Sequence, residues 1–138
     1  MDRAVIEGMT PLFMAAENGH AEVAEALIKA GCDVHKADKG GHTPLFMAAQ
    51  KEHARVAEAL IKAGCDVDKA ENNGVTPMHV AAEKRHAEVA KYLIRAGGDV
   101  DKAEIKPSFM AAEKGHAEVV EALIKARCDV DMRLDFGV

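Results

Sequence analysis

The segment TPLFMAAENGHAEV at residues 10–23 returns as TPLFMAAQKEHARV at residues 43–56. Across the 25 positions from Thr10 to Val34 the two copies differ only at Glu17/Gln50, Asn18/Lys51, Gly19/Glu52 and Glu22/Arg55, so 21 match. A Thr-Pro pair stands at Thr10, Thr43 and Thr76, at intervals of 33 residues, and a histidine follows in each of four units at His20, His53, His86 and His116, the last step being 30. A unit of this length is one supersecondary piece that cannot bury its apolar face alone. Stacked copies make a continuous core in which each unit touches only its neighbours.

Each unit reads as two helices and a turn. Thr10 suits an N-cap and Pro11 the first helical position, where its missing N–H costs nothing. The first helix should run through LFMAAEN to Gly19, a residue able to take the left-handed conformation that ends helices, and the second from about Ala21 to Ala30 before Gly31. In the second helix Val23, Ala24, Leu27 and Ile28 share one face, expected to be apolar core. Glu25 and Lys29 sit opposite as an i,i+4 pair, repeated as Glu58/Lys62 and Glu121/Lys125, on a solvated back. Between units, CDVHKADKGGH and CDVDKAENNGV combine Val with Asp, Asn and Gly in a turn composition, which predicts a protruding hairpin-like finger.

GMTPLFMAAENGHAEVAEALIKAGCDV and its copies look like ankyrin repeats, with T-P-L, A-A, G-H and the G-x-D-V ending in place over nearly the whole chain. The resemblance implies an all-α solenoid of stacked helix-turn-helix units with fingers, as one domain over 1–138 with repeats at about 8–38, 39–71, 72–104 and 105–138. It departs at Phe13, Phe46 and Phe109, where the family usually has His; these rings are expected to fill the inter-repeat space, and only His79 keeps the family residue. It further implies that His20, His53, His86 and His116 are structural, each making a local hydrogen bond to backbone. The asparagine that hydroxylases modify in this family is replaced by His35, Asp68, Asp101 and Asp131, so that modification is not expected.

The fourth repeat is degenerate. Three residues of its finger are missing, Lys106 replaces the capping Thr, Ser108 replaces Leu12 and Leu45, and Arg127 takes the place of Gly31, Gly64 and Gly97. Terminal repeats are commonly atypical because one face meets water, so residues 105–138 read as a cap. Repeat one is as apolar as repeat two, which leaves its leading face without a polar covering.

Composition narrows function by exclusion. The net charge is −5 and 18 Lys and Arg are dispersed among 23 Asp and Glu, so no basic stripe offers itself to nucleic acid. The N-terminus has too short an apolar run for a signal peptide, and no stretch reaches the roughly 18 apolar residues of a spanning helix. The expectation is an intracellular, cytoplasmic protein with no membrane partner. Cys32, Cys65 and Cys128 stand at a position that comes once per unit, and such positions lie about 10 Å apart in neighbouring units for packed helices, beyond the roughly 7 Å that a disulfide spans. They are expected to stay reduced and to share no metal. His35, Asp38 and His42 bracket the first finger in a pattern that a weak metal site or a neutral-pH titration would use, but the pattern does not recur in the next finger. Ser108 is the sole serine, and there is no Gly-rich phosphate loop, H-E-x-x-H or separate carboxylate pair, so neither enzyme nor cofactor chemistry is expected.

What remains is binding. The repeat differences gather at finger tips and at the exposed end of the first helix, the surface that lines the concave groove in the family the chain resembles. The candidate contact residues are Lys39, His42, Asn72, Asn73 and Val75 from the fingers and Glu17, Asn18, Gln50, Lys51, Glu83 and Lys84 from the helices. With no Trp and a single Tyr, Tyr92, a polar, mixed-charge protein contact of moderate affinity is expected. The alternatives are self-association through the uncovered repeat one and an engineered or reconstructed scaffold.

Overall fold

The computed structural model describes residues 9–84, 86–98 and 115–125. They form seven helices: α1 (Pro11–Asn18), α2 (Ala21–Lys29), α3 (Pro44–Lys51), α4 (Ala54–Lys62), α5 (Pro77–Glu83), α6 (Ala87–Arg95) and α7 (Ala117–Lys125). No strand occurs among the described residues. Phe109, Lys106, Ser108, Arg127, Cys128, Asp101, Asp131 and the shortened fourth finger lie outside them.

Each first helix starts where the sequence marks it. Thr10, Thr43 and Thr76 adopt extended backbone, and their hydroxyls accept from the N–H of Phe13 (3.0 Å), Phe46 (3.1 Å) and His79 (3.1 Å). This satisfies one of the orphan donors at each helix start, where Pro already removes another. Thr43 and Thr76 are buried as well. Replacing Thr76 with Val keeps the shape and removes the acceptor, so it is expected to cost about 1 kcal/mol, read as a lower urea midpoint at unchanged slope.

First helices stack α1 on α3 on α5, and second helices stack α2 on α4 on α6 on α7. The first stack closes tightly because its contact residues are small: Ala15, Ala16, Ala48, Ala49, Ala81 and Ala82 are all buried. Leu12, Leu45 and Met78 are buried, and so are Phe13 and Phe46, as the sequence suggests. The resulting core is one continuous cluster from Leu12 to Leu123.

Val23 departs from expectation. It is 51% exposed, whereas its equivalents Val56, Val89 and Val119 are 1% exposed or less. Val119 is covered although α7 packs on α6, so this column faces the preceding repeat; no described helix precedes α1. Ile124 is 50% exposed, whereas its equivalents Ile28, Ile61 and Ile94 are partly buried against the core.

The histidine column also differs from expectation. Its hydrogen bonds are not local but reach back one repeat: His53 Nε2 to the Glu17 carbonyl (3.1 Å), His86 Nδ1 to the Ala49 carbonyl (2.6 Å) and His116 Nδ1 to the Ala82 carbonyl (3.0 Å). A carbonyl only accepts, so each bonding ring nitrogen carries the proton. At Gly19 (φ 77°) the His53 ring lies where a Cβ would be, 2.6 Å away. Glu52 holds the same left-handed conformation (φ 62°) with a side chain, and its carboxylate stands 4.0 Å from His86 Nε2. The His86 ring bonds the preceding repeat through Nδ1.

Charges on the second helices link repeats too. Lys62 pairs with Glu58 (3.7 Å), but Glu25 meets Arg55 of the next repeat (3.7 Å), and Lys91 meets Glu118 (3.1 Å). The Glu118 hydrogen bond and charge, with Glu88 adding less, push the Lys91 ammonium above its ordinary range. These pairs are exposed and add little stability.

Candidate interaction surface

A finger is a chain reversal closed by one carboxylate. In the first, Asp38 Oδ1 accepts from the N–H of Gly40 (2.9 Å) and of His42 (2.9 Å), while the backbone bonds Asp38 N to His42 O (3.1 Å) and Gly41 N to Asp38 O (3.0 Å) complete the turn. In the second, Glu71 takes the place of Asp38: Oε1 accepts from Asn73 N (2.6 Å) and Val75 N (3.0 Å), and Glu71 N bonds to Val75 O (2.9 Å). Both acids are spent inside the fingers. The charge that a finger tip presents outward is that of Lys39, which is exposed.

The two fingers are fastened to each other. Asn72 N donates to the Gly40 carbonyl (2.9 Å) and Asn72 Nδ2 to the Lys39 carbonyl (2.8 Å). This approach requires glycine at 41, because a Cβ there would collide with Asn72 Oδ1 and stand 2.9 Å from Asn72 N, on a backbone already at φ 82°. His42 adds a second link. Its Nδ1 lies 3.0 Å from Asp38 Oδ1, its Nε2 3.7 Å from Glu71 Oε2, and its ring packs tilted against Phe46 at 5.0 Å.

The eleven candidates thus divide by what they touch. His42, Asn72 and Val75 hold the fingers together or pack against the core. Asn73 is exposed at the tip of the second finger, with Nδ2 3.4 Å from Glu71 Oε2. At the far ends of the first helices Asn18, Lys51 and Lys84 are exposed and Glu17, Gln50 and Glu83 half-buried. Glu71 and Gly41 were missed by reading for exposed polarity. The signal was present, since the 33-residue register aligns Asp38 with Glu71.

Other chemistry finds little footing among the described residues. His35 turns to Asp33 (3.6 Å) while His42 turns to Asp38, so the suspected first-finger constellation is not assembled. No three His, Cys, Asp or Glu side chains there group so as to hold a metal ion. Cys32 and Cys65 are free thiols. Burial, and secondarily the Asp66 charge, push the Cys65 thiol up to about 11, which leaves it protonated and a poor nucleophile at neutral pH. It lines a cavity of about 170 Å³ with Val34, His35, Thr43, Leu45, Asp66 and Lys69. No described helix is long and apolar enough to cross a membrane.

Comparison with known proteins fits this architecture. No curated protein matches the chain. The family model described as ankyrin repeats (3 copies) matches residues 1–71 and 64–133. That match covers nearly the whole length, on the same period that the caps, the alanine pairs and the histidine column obey, and the chain belongs to the ankyrin-repeat family.

Proposed function

We propose that this chain is a protein-binding module whose partner rests on the finger tips and the exposed ends of the first helices. Ankyrin repeats in general mediate protein–protein interaction rather than catalysis. The observation that carries the assignment of the face is where near-identical repeats differ. Glu17/Gln50/Glu83 and Asn18/Lys51/Lys84 stand outside the core, beside fingers whose Lys39 and Asn73 point to solvent. His42, Asn72 and Val75 act by fixing the shape that presents them. The sole Tyr, Tyr92, lies on α6 beside Arg95 (5.5 Å), so the contact is polar and mixed in charge, without aromatic anchors. A reducing, cytoplasmic setting suits the free thiols of Cys32 and Cys65.

The test is a triple substitution, Lys39→Ala, Lys51→Ala and Lys84→Ala, assayed against a partner obtained by affinity selection. Each side chain is exposed, so thermal unfolding should not move. Affinity should fall at least about tenfold, equivalent to about 1.4 kcal/mol, while Glu58→Ala on the outer helix changes it little. Undiminished binding by the triple variant would remove the face from consideration.

Val23 favours a second reading, self-association through repeat one. An apolar side chain that every later repeat covers is open here. Light scattering across a wide concentration range decides it: an oligomer lost on Val23→Lys supports the reading, and a concentration-independent monomer removes it.

A further inference from the structure

The chain contains two Asn-Gly pairs, Asn18–Gly19 and Asn73–Gly74. Such pairs are chemically labile because glycine puts no side chain in front of its own backbone nitrogen, which can reach the preceding side-chain amide. Sequence treats the two alike, but the fold does not.

Asn18 is the last residue of α1. The Gly19 N–H is bonded to the Ala15 carbonyl, and the space around Gly19 is filled by the His53 ring, whose Cε1 lies 2.6 Å from a Cβ position. Freeing that nitrogen means fraying the helix end and displacing a ring that itself ties repeat two to repeat one. Asn73 sits at the tip of the second finger between exposed Asn72 and exposed Gly74. Gly74 is at φ 86°, and no heavy atom stands within 4 Å of where its Cβ would be. A single turn bond, from Gly74 N to Glu71 O (2.9 Å), restrains the nucleophile. Exposed tips open locally at low free energy, whereas packed helix ends do not.

We propose that Asn73 is a site of spontaneous deamidation, and that the fold directs this modification there and away from Asn18. The Gly74 nitrogen gives up its proton to solvent base and attacks Asn73 Cγ. The N–Cγ bond forms, the Cγ–Nδ2 bond breaks, and Nδ2 leaves as ammonia, giving a five-membered succinimide. Water then adds to one of the two ring carbonyls. The ring opens either to an α-linked aspartyl residue or to a β-linked isoaspartyl one, so the net change is one water consumed and one ammonia released.

The finger registers the product. Asn73 now gives its N–H to Glu71 Oε1 (2.6 Å) and places Nδ2 3.4 Å from Oε2. Deamidation replaces that donor with a second carboxylate beside the first, and the β-linked product also adds an atom to the backbone of the turn. The same turn carries Asn72, so the bonds to Lys39 O and Gly40 O loosen with it.

Peptide mapping tests this on the whole chain, aged in mildly alkaline buffer with and without urea. Trypsin places the two asparagines in different peptides, residues 4–29 and 70–84. In the folded chain the 70–84 peptide should accumulate aspartyl and isoaspartyl forms at least about tenfold faster than 4–29 does, a barrier difference of about 1.4 kcal/mol. In urea the two rates should converge. Asn73→Gln should remove the signal from 70–84, because the longer side chain does not close the five-membered ring. Equal rates in the folded chain would overturn the proposal. So would an unchanged 70–84 peptide over a period in which the urea-treated chain converts.

Discussion

Leu60→Ala is expected to cost about 2–5 kcal/mol, while the same change at Leu27, its counterpart one repeat earlier, costs clearly less. The two side chains occupy the same place in helices of nearly identical sequence, so helix propensity and local contacts cancel. What differs is the neighbour on the N-terminal side. Leu60 is fully buried in the continuous core between α2 and α6, whereas Leu27 is half-buried on a helix that no described repeat precedes. Truncating Leu60 therefore leaves a cavity between repeats, where it weakens both an intrinsic unit and the interfaces that couple units. Urea unfolding of the two variants measures the difference. Equal losses would mean that the open face of repeat one is covered in solution, and would make self-association the primary reading.

How far the sequence carries depends on the range of the interaction concerned. Thr-Pro starts and glycine ends are local chemistry, and the helix limits came out at or within a residue of where those signals put them. Burial of Phe13 and Phe46 was legible because the repeat supplies a neighbour for each. Val23 was not, because the same letter at the same helical position is core or surface according to what stacks upon it. The histidine column shows the limit most plainly. A His before a helix reads as a local device, yet its acceptors lie 36, 37 and 34 residues away. For the candidate surface, polarity singled out Asn72 and His42, but only geometry shows that their polar atoms are turned onto the neighbouring finger. A turn composition says that a finger exists; it does not say which carboxylate ties it.

His79→Phe is expected to stabilise the protein by about 1–3 kcal/mol, the free energy of leaving a buried polar atom without a partner. His79 Nδ1 is buried with no hydrogen-bond partner, while the Thr76 hydroxyl accepts from the His79 backbone N–H. Phe is what the chain itself places at the equivalent positions 13 and 46, both buried. Overpacking is the competing effect, and Val75 offsets it: in repeat two the phenyl ring of Phe46 meets His42, and in repeat three the smaller Val stands at that place. His86→Phe provides the control, since that imidazole donates at 2.6 Å to the Ala49 carbonyl of the preceding repeat. There the identical substitution deletes an inter-repeat hydrogen bond, leaves a carbonyl unsatisfied, and should destabilise by about 1–3 kcal/mol. Urea midpoints for the two variants should move in opposite directions at similar slopes. If both fall, His79 is satisfied in solution and its difference from Phe13 and Phe46 has another cause.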